Sequence, residues 1–249
     1  MSLQLAHQPL IEQQRQGVVK VSLLEKTRLA NTHCIMRFQA HAGTGFPNSL
    51  CLNAGFHFLG KLKYFSIYQW LPGGQFEIVV SFNHAAPSTH DFVALNTGAS
   101  LEVEFMPSRF NLFNKPAFNH YYFVGLGIGF VPFYGMLGQI ERLLVQGRAV
   151  DFLLGMSEKL DLIAFEELAG FADSYSNFNF QCFFSRPSGE VSAAHERVGR
   201  VTPYIKALEP LQIADGVFLS GPKSALTELA TLFTSKHCLQ DNIITEIKL

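Results

Sequence analysis

Between Tyr121 and Pro132 the chain reads Tyr-Tyr-Phe-Val-Gly-Leu-Gly-Ile-Gly-Phe-Val-Pro, an apolar run of strand length that passes directly into three alternate glycines. Gly125, Gly127 and Gly129 carry no Cβ, so the backbone can turn sharply there and its N–H groups can approach a ligand closely. Downstream, Phe133, Met136, Leu137, Ile140, Leu143 and Leu144 fall three and four apart, which predicts an amphipathic helix over 132–145. Unpaired N–H groups and the positive end of a helix dipole would then face the loop, an arrangement that binds anions and most often a nucleotide pyrophosphate. A tight strand-to-helix connection without a ligand has the same pattern, and the loop alone leaves both readings open. A membrane helix is excluded here, because glycines and Pro132 interrupt the run and Gln139, Glu141 and Arg142 return within the same helical period.

A chain of 249 residues holds two domains, each able to bury a core. Its formal charge is −1 and Lys and Arg form no runs, which disfavours a nucleic-acid surface and favours small diffusible ligands. The first residues have neither a basic start nor an apolar core of signal-peptide length, so a cytoplasmic location is expected. Cys34, Cys51, Cys182 and Cys238 lie far apart, giving neither an iron–sulfur motif nor a thiolate zinc site, and are expected to be reduced, buried hydrophobes. The nine histidines form no His-Glu-x-x-His pair, so no metal site is expected. The 24 phenylalanines predict a large aromatic core, with a flat ring-binding cleft as the alternative use.

Two periodicities divide the chain. Short strand-length runs occupy 18–24, 34–38, 64–70, 75–82 and 101–105, with Leu71-Pro72-Gly73-Gly74 joining two of them as a hairpin and a short helix over 88–95 capped by Ser88 or Thr89. Closely spaced strands of this kind argue for an antiparallel barrel or sandwich. From Phe118 onward strands (121–124, 150–154, 178–184, 217–220, 243–247) alternate with helices (132–145, 162–172, 202–208, 222–233), the pattern of a parallel sheet covered on both faces. The interruption at Lys115-Pro116 sets the expected domains at 1–116 and 117–249.

A barrel followed by an α/β nucleotide domain, with several motifs in sequence order, resembles the ferredoxin–NADP reductase family. Lys63-Tyr64-Phe65-Ser66 is similar to the family's Arg-x-Tyr-Ser flavin motif. The resemblance implies that Lys63 meets a flavin phosphate, that Phe65 offers a ring to the isoalloxazine, and that Ser66 hydrogen-bonds flavin N5. Ala85-Ala86-Pro87-Ser88-Thr89 resembles the Gly-x-x-Ser helix start that contacts the flavin diphosphate, without its glycine. Gly127-Ile128-Gly129-Phe130-Val131-Pro132 is similar to Gly-Thr-Gly-Ile-Ala-Pro, with Ile128 in place of a threonine. Ser185-Arg186 ends the third strand and Gly199-Arg200-Val201-Thr202 opens the next helix, both in family positions. Ser220-Gly221-Pro222 resembles Cys-Gly-Pro, and Thr245-Glu246 the terminal Thr-Glu pair.

The resemblance implies an N-terminal flavin-binding β-barrel domain followed by a Rossmann-like NAD(P)-binding domain. The implied activity is a flavin-dependent NAD(P)H oxidoreductase using FAD or FMN, with Ser66, Ser220 and Glu246 nearest the chemistry. Electrons would leave to a ferredoxin-like protein, a quinone or dye, or free flavin. Ser185 and Arg186 are expected to grip the 2′-phosphate of NADPH, since no Asp or Glu follows at once to hold a ribose hydroxyl. Because Phe65, Ile128 and Ser220 each remove a polar contact, a second reading is a flavin- or nucleotide-binding interaction subunit without turnover.

Overall fold

The computed structural model describes residues 17–29, 32–41, 52–82, 86–110, 112, 117–191 and 194–247. Strands β1 (Val19–Leu29), β2 (His33–Ala40), β3 (Leu52–Phe58), β4 (Lys61–Leu71), β5 (Gln75–Ser81) and β6 (Ser100–Pro107) close into an antiparallel barrel in the order β1-β2-β5-β4-β3-β6. Alternation explains the inward face: in β2 the side chains of Cys34, Met36, Phe38 and Ala40 are buried, with half-buried Ile35, Arg37 and Gln39 between them. Phe38, Phe56, Phe76 and Phe105 fill the interior, and helix α1 (Pro87–Ala94) covers it with Phe92. The twelve largest fully buried side chains among the described residues are all phenylalanine, so core packing is the main use of this residue.

The hairpin at Pro72–Gly74 forms as expected, with Gly73 and Gly74 at φ +74° and +80°. Strand β3 has no counterpart in the sequence reading, because Asn53 and Gly55 weaken its strand signal. Tertiary packing selects it: a Cβ on Gly55 would lie 2.7 Å from the Tyr64 ring on the paired strand. The cap of α1 also differs from expectation. Ala86 is the N-cap, without a side-chain hydrogen bond, and Pro87 begins the helix, so Ser88 and Thr89 lie inside its first turn.

The second domain is a parallel sheet ordered β10-β9-β8-β7-β11-β12. Its strands are β7 (His120–Leu126), β8 (Ala149–Met156), β9 (Phe178–Phe184), β10 (Glu196–Val198), β11 (Asp215–Gly221) and β12 (Ile243–Ile247). The three-residue β10 is too short to be legible in sequence. One face packs Phe123, Phe133, Phe152 and Phe218, the other Val124, Leu153, Leu219 and Phe233. Helices α3 (Leu137–Val145) and α4 (Phe165–Ser174) pack with the first core, and α5 (Val201–Ala207) and α6 (Lys223–Ser235) with the second. The helix expected over 132–145 is broken. A 3₁₀ turn over Gly127–Phe130 leads into the single turn α2 (Val131–Tyr134), and α3 starts only after Gly135 and Met136.

Cys34, Cys182 and Cys238 are buried and unbridged, and burial pushes each thiol pKa up, in Cys238 to about 11. Cys51 and the Lys115-Pro116 break lie outside the described residues. Among the described residues no helix is long and apolar enough to cross a membrane, and no group of three or more His, Cys, Asp or Glu is placed to hold a metal ion.

Candidate functional site

The sheet order reverses direction between β7 and β11, and the crevice beyond the carboxyl ends of strands at such a switch point is the standard ligand position of an open α/β sheet. A cleft of about 650 Å³ occupies that position. The three glycines of the opening turn divide their labour. A Cβ on Gly125 would lie 2.8 Å from the Phe130 Cα, and one on Gly129 only 2.2 Å from the Ser220 carbonyl oxygen, so both glycines permit chain-on-chain packing. Gly127 alone stands open, at φ +55° with nothing within 4 Å of a built Cβ, and lines the cleft. Ile128 is half-buried against the core, and Pro132 is buried at the start of α2. The uninterrupted helix expected behind the glycines is absent, so what faces the cleft is a 3₁₀ turn.

On the far wall, Arg186 is exposed and donates from its guanidinium to the Ser157 hydroxyl at 3.3 Å, while its N–H donates to the Ser157 carbonyl at 2.9 Å. Ser185 is also exposed, and its hydroxyl donates to the Met156 carbonyl at 3.3 Å. Tertiary structure adds Arg200, the N-cap residue of α5, and Thr202 to the same wall. Sequence reasoning did not select Arg200 as a ligand residue, because a loop and β10 separate it from Arg186 along the chain. Two guanidinium groups and three hydroxyls against the single carboxylate of Glu228 make the lining suited to an anion.

Ser220 is fully buried, and among the described residues its hydroxyl has no hydrogen-bond partner. It does not cap α6, whose N-cap is Pro222. Strand alternation puts Ser220 on the face of Phe218, the face that carries the glycine turn. Gly221 follows at φ +153°, where a Cβ would lie 2.8 Å from that of Leu126, and the exposed Pro222 lines the cleft. An orphaned buried hydroxyl beside a close-packed glycine turn fits a polar ligand that completes it.

Glu246 pairs in register with Ser220 and is half-buried. It accepts a 2.6 Å hydrogen bond from Ser108 at the end of the barrel, so it links the domains. A second polar link crosses at Thr32, whose hydroxyl donates to Asp161 at 2.9 Å and meets His33 Nδ1 at 2.7 Å.

In the barrel, Lys63 and Phe65 turn toward α1. Lys63 donates to the Thr89 hydroxyl at 3.2 Å, and its pKa is lowered by partial burial and by Lys61, with Asp91 opposing. Ser88 is half-buried in the same first turn. Phe65 stacks on Phe92 at 5.1 Å and meets Phe56 edge-on, yet stays partly exposed. Tyr64 and Ser66 lie on the opposite side of the strand: Tyr64 is 50% exposed over Gly55, and Ser66 is buried and donates to Asn53 Oδ1 at 2.9 Å. The Lys63–Thr89 pair fits a phosphate, and the partly exposed Phe65 ring beside it fits a flat aromatic group.

A closed antiparallel barrel joined to a doubly wound parallel sheet, with a cleft at the switch point, is the ferredoxin–NADP reductase-like fold. Solved structures with this fold include the Malassezia yamatoensis flavohemoglobin with bound FAD and heme (TM-score 0.77, 17% identity), which the chain matches over 94% of its own length and 61% of the flavohemoglobin. They also include the Neisseria gonorrhoeae ferredoxin NADP+ reductase with bound FAD and NADP (TM-score 0.73, 14% identity, 93% of this chain and 99% of that one). An Amycolatopsis cytochrome P450 reductase is similar as well (TM-score 0.76, 15% identity, 93% and 69%). No sequence-family model matches the chain, and no curated protein sequence matches it.

Proposed function

We propose that the chain is a flavin-dependent NAD(P)H oxidoreductase. The observation that carries this reading is the switch-point cleft, where the open Gly127, the Arg186 and Arg200 guanidinium groups and the Ser157, Ser185 and Thr202 hydroxyls converge. The two similar structures with bound FAD, one of which also holds NADP, support the assignment.

Lys63 and Thr89 hold a flavin phosphate, Phe65 offers its partly exposed ring, and Ser66 is the hydroxyl closest in sequence to serve N5. In the cleft Arg186 and Arg200 hold the 2′-phosphate of NADPH, with Ser185 beside them, while Ser220 and Gly221 line the nicotinamide end and Pro222 the cleft wall. A bound flavin supplies a hydride acceptor that releases electrons onward, and hydride transfer requires reacting atoms roughly 3 to 3.5 Å apart. The protein's contribution is therefore placement. The electron acceptor in this reading is a separate molecule, a ferredoxin-like protein or a small quinone, dye or flavin.

The test is optical. Purified protein loaded with FAD absorbs near 450 nm and bleaches anaerobically on addition of NADPH or NADH. Colourless protein that takes up no FAD favours the second reading, a nucleotide-binding interaction subunit, which the engagement of the Ser66 hydroxyl by Asn53 supports.

A further inference from the structure

Strand β4 contains a bulge. Ile67 pairs with Ile78 and Gln69 with Glu77, which leaves Tyr68 as the extra residue of β4 in its ladder with β5. A bulge re-aims the side chain it displaces, and here it takes Tyr68 out of the barrel packing. Tyr68 is 6% exposed and belongs to the aromatic core of the nucleotide domain, with Phe133 and Phe123.

Its partner there is Tyr134, the last residue of α2. The two rings stack 4.5 Å apart at 12°. Beside them the backbones meet: a Cβ on Gly135 would lie 2.7 Å from the Ile67 carbonyl oxygen. The contact joins the two halves of the proposed site by the shortest covalent routes. Tyr68 lies two residues beyond Ser66, and Tyr134 two residues beyond Pro132 at the end of the glycine turn.

Taking the oxidoreductase reading as its basis, we propose that Tyr68 and Tyr134 are positioning residues, a stacked pair that fixes the distance between the flavin-holding strand β4 and the dinucleotide-holding turn Gly127–Pro132. The pair acts by preventing the turn from sliding along β4, and displacement of about 1 Å between reacting groups can lower a rate about a hundredfold.

Two variants and two kinds of measurement test this. Tyr134→Ala removes the stack, and Tyr134→Phe keeps the ring and loses only the hydroxyl. In cofactor-free protein, calorimetry is expected to show one unfolding transition for wild type and Tyr134→Phe, and two separated transitions for Tyr134→Ala. In FAD-loaded protein, Tyr134→Ala is expected to lower kcat at least tenfold with KM for NADPH within twofold, since the cleft at Arg186 is untouched, and Tyr134→Phe to restore most of the rate. A single transition in Tyr134→Ala overturns the clasp whether or not the protein takes up flavin. Split transitions with a wild-type kcat overturn the positioning role. A wild-type protein that never bleaches with NADPH or NADH overturns the oxidoreductase reading and the positioning role resting on it, while the calorimetry still decides the clasp itself.

Discussion

The Gly129 backbone sits so close to Ser220 that a Cβ would fall 2.2 Å from the Ser220 carbonyl oxygen and 2.9 Å from the Gly221 nitrogen. The glycine turn and the Ser220-Gly221 strand end thus form one packed unit, and the glycines within it respond differently to substitution. Gly129→Ala is expected to destabilise the fold by about 3 kcal/mol or more, because neither backbone can yield. Gly127→Ala, in open space at φ +55°, is expected to cost only about 1 to 2 kcal/mol of backbone strain and to leave the fold intact. Urea unfolding of both variants checks the contrast, and equal midpoints would contradict it.

Ser220→Ala removes a buried hydroxyl that has no partner among the described residues, so cofactor-free protein is expected to gain about 1 kcal/mol of stability. If a nicotinamide group completes that hydroxyl, the same variant loses a comparable amount of NADPH binding energy. Thermal unfolding without ligand, together with a binding titration, separates the two effects.

Arg186→Ala is expected to lower the ratio of NADPH to NADH affinity about tenfold or more, the equivalent of a charge-assisted hydrogen bond of about 1.5 to 3 kcal/mol. Arg200→Ala is expected to act in the same direction from the same wall of the cleft. Binding constants for both dinucleotides decide the matter, and an unchanged ratio in both variants means that these arginines are surface cations only.

Ser66→Ala is expected to retain flavin and to slow its reduction about two- to tenfold, from the loss of one hydrogen bond of about 0.5 to 1.5 kcal/mol. Stopped-flow bleaching at 450 nm measures this. A wild-type rate would show that the hydroxyl serves contacts within the protein, that to Asn53 among them, and not the flavin.

His33 is buried, and burial lowers its pKa from the ordinary 6.5, with Asp161 partly opposing. The unfolded chain therefore binds the proton more readily, so the stability due to neutral His33 is present above pH 6.5 and is lost as pH falls from there toward the lower folded-state value. His33→Asn, which keeps a group near Nδ1 for Thr32 and cannot titrate, is expected to flatten the stability profile below pH 6.5. Denaturant midpoints measured across that range provide the check.

Much of the architecture follows from local pattern. Period-two alternation in β2, the Pro-Gly-Gly hairpin and the strand–helix alternation after Phe118 are properties of neighbouring residues, so sequence by itself determined an antiparallel barrel or sandwich followed by a parallel sheet, along with the glycine turn and the Ser185-Arg186 pair. Closure into a barrel was decided by the pairing of β1 with β6. Other features needed residues that are distant in the chain. Strand β3 exists because Gly55 makes room for Tyr64 on the paired strand. The helix expected over 132–145 breaks at Gly135, where the α2 end meets the Ile67 carbonyl of the barrel. Arg200 joins Arg186 only because parallel pairing of β9 and β10 folds the intervening loop back. The bulge that sends Tyr68 to Tyr134 leaves no mark in hydrophobic periodicity, because an apolar ring fits either core; only the packing of the two domains against each other decides which core receives it.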